Sequence, residues 1–172
     1  MNLAARINER ARLHGSFTLR SGAVSDTYFD KFQFEADPRL LRDIAAALAK
    51  LVPPDTEVLA GVELGGIPIV TVLSQVTNLP TAYLRKEAKR YGTCKYAEGA
   101  ALTDRVVVLV EDIVSSGGAL LDAVEKLQTD GISPLAAICV IDRQGGGRAA
   151  LAEKGVELRA LFTMEEIDPA AR

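Results

Sequence analysis

Val106-Val-Val-Leu-Val-Glu111-Asp112-Ile-Val-Ser115-Ser116-Gly117-Gly118-Ala119 is the stretch on which the reading of this chain turns. An apolar, β-branched run ends in two adjacent acids, and a turn of small and hydroxyl residues then opens a helix. Small residues let the backbone wrap an anion, the helix N-terminus supplies unpaired N–H groups and a positive dipole end, and Ser115 and Ser116 add hydroxyl donors. Glu111 and Asp112 would repel a bare phosphate, so their carboxylates suit sugar hydroxyls or a hydrated Mg2+ instead. The pattern predicts a ligand that carries both a phosphate and a ribose. Open α/β sheets bind ligands beyond the carboxyl ends of their strands, where this turn falls.

Working outward, apolar runs alternate with helical periodicities. Residues 57–60, 81–84, 135–141 and 156–162 read as further strands, and 67–77, 119–129 and 149–154 as helices. Upstream, residues 2–13 read as an amphipathic helix, followed by short strands at 16–19 and 27–32 around a turn-prone segment. Asp37-Pro38 starts a helix with a capping carboxylate and a first-turn proline, Leu41, Ile44, Leu48 and Leu51 share its face, and Pro53-Pro54 stops it. Near-continuous apolar strands alternating with helices indicate an α/β fold, a parallel central sheet flanked by helices. The expected organisation is one domain over 1–172, with a small N-terminal hood in 1–35 and the core in about 36–165.

Composition narrows the function classes. With 172 residues, 48% apolar and 25% charged, the chain can bury a substantial core. Its apolar stretches are too short to span a bilayer, and residues 1–12 lack the apolar core of an export signal. Two cysteines, Cys94 and Cys139, make no disulfide framework, and a single histidine, His14, leaves a zinc site without ligands; a reduced, cytoplasmic setting is expected. Net charge is −3, yet Arg85, Lys86, Lys89, Arg90 and Lys95 crowd into one polar segment with Glu87 the only acid among them. An acidic chain with one basic loop points to a local anionic ligand and away from nucleic acid. That segment, within 86–100, is longer than most loops and suits a lid. Two rival phosphate motifs fail. Gly61-Val-Glu-Leu-Gly-Gly66 has P-loop glycine spacing, but Ile67-Pro68 replaces the required Lys-Ser/Thr. Gly145-Gly-Gly147 mimics a dinucleotide fingerprint with too little chain beyond it, and reads as a flexible turn.

The 106–119 stretch resembles the 5-phosphoribosyl 1-diphosphate (PRPP) motif of the type I phosphoribosyltransferases. Three further segments resemble the orotate-specific members: Phe17-Thr-Leu-Arg20-Ser21-Gly22-Ala-Val-Ser25-Asp-Thr-Tyr28-Phe29-Asp30 their hood, Arg85-Lys86-Glu-Ala-Lys89-Arg-Tyr91-Gly92 their mobile catalytic loop, and Ile141-Asp142-Arg143-Gln144 a strand end. The likeness runs from about residue 15 to 148. It implies transfer of ribose 5-phosphate to orotate through an oxocarbenium-like state, without a protein nucleophile. Glu111, Asp112, Ile113, Val114, Ser115, Ser116, Gly117, Gly118 and Ala119 would then hold PRPP, with Leu64 and Gly65. Arg20, Tyr28, Phe29, Ser115 and Arg143 would hold orotate, whose planar anion suits an aromatic wall and a guanidinium fork. Arg85, Lys86, Lys89 and Tyr91 would act on the departing pyrophosphate. Mg2+ would be held mainly by PRPP and water, with Asp112 the candidate among protein oxygens. The resemblance also implies a homodimer whose loop closes on the partner's site. Many members have lysine at the position of Gly65 and histidine at that of Tyr91; here the first charge is missing and the second position is neutral. A phosphoribosyltransferase for a purine or another base, or a PRPP-sensing regulator without turnover, are the alternatives.

Overall fold

A computed structural model of the chain describes residues 2–18, 22–88, 91 and 95–168. Helix α1 (Leu3–Ala11) is capped by the Asn2 side chain, which accepts from the Ala5 N–H at 2.9 Å. It stops two residues before the expected end, because Arg12 and Leu13 already pair with Phe29 and Tyr28 across an antiparallel ribbon. That ribbon, β1 (Arg12–Thr18) and β2 (Val24–Phe29), forms a separate two-stranded sheet. The predicted strand at 27–32 is cut short by α2 (Lys31–Glu35), where Asp30 turns its carboxylate onto the Phe32 N–H. Asp37 caps α3 (Pro38–Leu48) as its sequence requires, accepting from Arg39 and Leu40 at 3.0 Å each. A 3-10 turn, Ala49–Leu51, follows.

The main sheet alternates strand and helix: β3 (Val58–Val62), α4 (Glu63–Thr77), β4 (Thr81–Leu84), β5 (Ala97–Gly99), β6 (Val107–Val114), α5 (Gly118–Thr129), β7 (Ala136–Asp142), α6 (Gly147–Glu153), β8 (Glu157–Thr163) and α7 (Met164–Ile167). The strand order is β5-β4-β3-β6-β7-β8, all parallel except the short edge strand β5, which the sequence hid inside a polar stretch. From β3 the chain winds outward to β4 and β5, and from β6 it winds the other way. The order therefore reverses between β3 and β6, and the crevice beyond their carboxyl ends is the switch point at which such sheets take ligands.

Alternation along β6 divides the core. Val108 and Val110 pack with α3 and α4 through Ile44, Leu48, Ile69 and Leu73, while Val107 and Leu109 pack with α5 and α6 through Leu120, Val124, Leu127 and Leu151. Ile7 of α1 and Phe34 of α2 sit fully buried in the first of these clusters, so the N-terminal segment is built into the core.

Two structural differences bear on the site. Helix α4 starts at Glu63, four residues before the predicted 67, so Leu64, Gly65 and Gly66 lie in its first turn. Strand β6 runs on to Val114, pairing Ile113 with Ile141 and Val114 with Asp142. The acids thus stand inside the strand, not after it. The Gly145–Gly147 run is also no slack turn. A Cβ at Gly147 would stand 2.7 Å from the Ser115 carbonyl oxygen and 2.9 Å from the Gly117 nitrogen, and the Gly147 N–H donates to that carbonyl at 2.9 Å. Gly147→Ala should therefore destabilise by about 1–3 kcal/mol, lowering Tm by roughly 3–10 °C. Gly118→Ala, with nothing within 4 Å, should melt close to wild type. Equal melting curves for all three proteins would contradict this packing.

Candidate active site

Beyond the strand ends lie two adjoining hollows. The first, about 400 Å³, is walled by Tyr28 and Phe29 from β2, Ser115 from the turn after β6, and Arg143 just past β7. The Arg143 guanidinium stands over the Phe29 ring, 5.9 Å from its centroid, and the exposed Tyr28 ring is propped by Phe17 at 5.5 Å. Phe29 also packs against the core, so this strand pair has one ring facing inward and one outward. The Arg143 main-chain N–H is fixed to the Val114 carbonyl at 2.7 Å, and no acid pairs with its guanidinium among the described residues. Its neighbour Asp142 is buried and spoken for. It accepts from the Gln144 N–H at 2.7 Å and from Arg148 at 3.1 Å, which fixes the turn carrying Arg143.

The second hollow, about 130 Å³, is formed by the Ser115–Leu120 turn with Glu111. Gly117 takes a left-handed backbone (φ 79°) before α5, and no side chain caps that helix, which leaves its first-turn N–H groups facing outward. Ser115, Ser116, Gly118 and Ala119 are exposed, whereas Val114 is core and Ile113 half-buried, so those two can serve a ligand only through their main chain. Ser115 lines both hollows.

The strand geometry separates the two acids. Successive residues of β6 face opposite sides. Glu111 faces the α5 hollow, its Oε1 accepting the Asp112 N–H at 3.0 Å. Asp112 faces α2 and α4 and is fully buried. Its Oδ1 accepts the Ile113 N–H, and its Oδ2 makes a 2.7 Å ion pair with Lys31. A Cβ at Gly65 would fall on that same Oδ2, so only glycine at 65 admits this placement. Glu35 is buried beside them, with no N–H or O–H donor reaching its oxygens among the described residues. Burial, then the hydrogen bond to and charge of Asp112, push its carboxyl up to about 9, so it is protonated at neutral pH. Burial works against the Lys31 charge, but Asp112 outweighs it and raises the ammonium above its ordinary value. Burial and the charge of Asp112 likewise raise Glu111.

The described residues of the basic segment stand apart from both hollows. Arg85 continues β4, its N–H donating to the Tyr96 carbonyl at 2.8 Å. Lys86 lies along the outer side of α5 with Asp122, Glu125 and Lys126, and its carbonyl accepts from the Lys126 ammonium. Tyr91 is 74% exposed. None of the three lines either hollow. Arg20, Lys89 and Cys94 lie outside the described residues. Cys139 is buried and its thiol is pushed up by burial, then by Asp142, which suits packing and not reactivity. His14 is exposed in β1.

A phosphoribosyl transferase domain model matches residues 32–154. The orotate phosphoribosyltransferase of Nocardioides sp. is 47% identical over 98% of this chain and 94% of its own. That of Halobacterium salinarum is 43% identical over 89% and 87%. The crystal structure of Mycobacterium tuberculosis orotate phosphoribosyltransferase in complex with Fe(III) dicitrate superposes with a TM-score of 0.85, at 27% identity over 96% of this chain and 97% of that one. The chain belongs to the phosphoribosyltransferase family.

Sequence reading missed several site residues of this phosphoribosyltransferase. Arg12 and Asp168 wall the first hollow as an ion pair joining β1 to the C-terminal end of the described chain, with Thr27 and Met164 nearby. Their pairing spans nearly the whole sequence, and nothing local signals it. Lys31 and Glu35 carry a fainter signal, an Asp30 cap with charges four residues apart. The raised Glu35 has a consequence for stability. Between its unfolded value near 4.5 and about 9, the native state binds the extra proton, so this carboxyl makes stability fall as pH rises through that window. Glu35→Gln should melt like wild type near pH 5 and above it at pH 8–9. A Tm difference that stays constant across pH would show that Glu35 does not titrate in this way.

Proposed function

We propose that this phosphoribosyltransferase acts on orotate, transferring ribose 5-phosphate from PRPP to give orotidine 5'-phosphate and pyrophosphate in pyrimidine (UMP) biosynthesis. One observation carries the reading: a cavity that pairs an aromatic wall with a guanidinium lacking an acid partner among the described residues shares Ser115 with an anion-binding helix start. Orotate is planar and anionic. Its ring lies against Tyr28 and Phe29 and its carboxylate meets Arg143, with Arg20 as a further contact. A neutral purine would leave Arg143 without a counter-charge beside the base.

The 5-phosphate takes the N–H groups and hydroxyls of Ser115–Ala119, and Glu111 faces the ribose from beneath the same turn. Leu64 and Gly65, in the first turn of α4, would serve the diphosphate. The base nitrogen forms its bond to the anomeric carbon and gives up its N–H proton as the C–O bond to pyrophosphate breaks; the electron pair leaves on the pyrophosphate oxygen, which can take up that proton. Holding base and sugar in line at Ser115 supplies the positional part of the catalysis. Arg85, Lys86 and Lys89 neutralise the leaving group, with Tyr91 a hydrogen-bond donor on the same loop. Mg2+ fits as a passenger of the diphosphate. Among the described residues no three His, Cys, Asp or Glu side chains are grouped to hold a metal, and Asp112 is turned inward to Lys31. When bound, Mg2+ would supply further neutralisation of the diphosphate charge.

With Lys86 on the outer side of α5, the loop suits service to a neighbouring copy, and we infer a homodimer acting in the cytoplasm, each chain a single domain with residues 1–35 as hood. No helix among the described residues is long and apolar enough to cross a membrane.

An absorbance assay should show orotate loss that requires PRPP and Mg2+, with no comparable turnover of purines. Turnover of a purine instead would keep the family and overturn the substrate. PRPP binding with no turnover of any base would favour a sensor. Arg143→Ala should raise the orotate KM about tenfold to a hundredfold with the PRPP KM nearly unchanged. Lys89→Ala should lower kcat by roughly a hundredfold or more at constant Tm, and an undiminished rate would remove the loop from the mechanism.

A further inference from the structure

Asp112 is a fully buried carboxylate whose counter-ion comes from a distant element. Lys31, the first residue of α2, places its ammonium 2.7 Å from Asp112 Oδ2, and its own side chain stays 36% exposed. That oxygen occupies the space a Cβ at position 65 would take. The Lys31 ammonium therefore stands one ion-pair length from the root of any side chain at 65, well within the span of a lysine's four-carbon stem. Position 65 itself brings no charge to this point, being Gly65. Asp112 is the carboxylate ion-paired in this layer, with the protonated Glu35 beside it, and Lys31 is the only base ion-paired into it among the described residues. A diphosphate entering the β3–β6 crevice beside Gly65 would meet this ammonium as the cation already ion-paired into that layer.

We propose that Lys31 supplies the positive charge that position 65 lacks: it holds Asp112 inward in the free protein and serves the diphosphate of PRPP as a binding residue. Gly65 and Lys31 are then two halves of one arrangement. The missing Cβ lets Asp112 turn inward, and the inward carboxylate draws in a lysine from α2. The Lys31 side chain is 36% exposed, which gives a diphosphate access to it and lets the ammonium exchange Asp112 for that ligand. This inference rests on the reading that the chain binds PRPP.

Lys31→Gln keeps a donor for Asp112 while losing the charge, and Lys31→Arg keeps both. Calorimetry with PRPP and steady-state kinetics on the three proteins, with melting curves alongside, separate binding from structure. The expected result is a PRPP Kd and KM raised about tenfold to a hundredfold in Lys31→Gln, an orotate KM within about twofold of wild type, and most of the loss recovered in Lys31→Arg. An unchanged PRPP Kd in Lys31→Gln, or a fall in Tm without a selective effect on PRPP, would overturn the proposal and leave Lys31 a structural counter-ion. Wild-type protein that fails to bind PRPP would overturn the functional reading itself, an outcome the wild-type titration shows before any variant is made.

Discussion

Strand β6 does not end where its apolar run ends, and most of the site follows from that. Pairing of Ile113 with Ile141 and Val114 with Asp142 keeps the backbone extended through Glu111 and Asp112. An extended backbone sends neighbouring side chains to opposite faces. Two adjacent acids therefore cannot serve one ligand from the same side. Glu111 is delivered to the turn before α5, and Asp112 is driven into the layer under α2 and α4. A buried carboxylate is tolerated only with compensation. Here that means the Lys31 ammonium, the Ile113 N–H, a protonated Glu35 alongside, and no Cβ at residue 65. Four features spread over more than eighty residues of sequence are thus consequences of one strand extension.

The same extension sets the distance between the two hollows. Because β6 and β7 stay in register to their last residues, the turns that follow them emerge side by side, and glycine at 145 and 147 lets their backbones touch. Ser115 is then held by its carbonyl to the Gly147 N–H, while it lines both hollows. Reaction at an anomeric carbon needs the base and the sugar phosphate fixed relative to each other more than it needs a reactive side chain. A pair of strand ends locked by close glycine packing is a rigid way to do this. The buried, hydrogen-bonded Asp142 adds to it by anchoring the turn that bears Arg143.

What could be read from the sequence was chemistry written locally. The Asp37-Pro38 cap, the apolar strands, the glycine-rich turn and the Tyr28, Phe29, Ser115 and Arg143 set each depend on residues a few positions apart or on a recognisable short motif; the cap forms as written, and the four side chains line one cavity. Boundaries moved where tertiary pairing overrode the local signal: α1 yields to the ribbon at Arg12, and β6 continues past its apolar run. The Gly145–Gly147 run could be recognised as special but not explained, since its reason is a backbone more than twenty residues upstream. Contacts such as Arg12 with Asp168, and Lys31 with Asp112, had no local signature because each joins elements that meet only once the sheet is complete.

The division between rigid and basic parts of the molecule has its own electrostatic logic. Arg143 stands at the cavity with no acid partner among the described residues, and the α5 N-terminus beside it is uncapped and positive. Adding Arg85 and Lys86 to the same space before any anion arrives would set like charges against one another in a partly desolvated cavity. The described residues avoid this: Arg85 continues β4, and Lys86 lies along α5, where Asp122 and Glu125 accompany it. Once a diphosphate brings its negative charge to the β3–β6 crevice, the balance reverses and the cations gain by approaching it. On the proposed reaction the leaving group would itself draw Arg85 and Lys86 in, and the cavity around Arg143 could stay positively charged until it arrives.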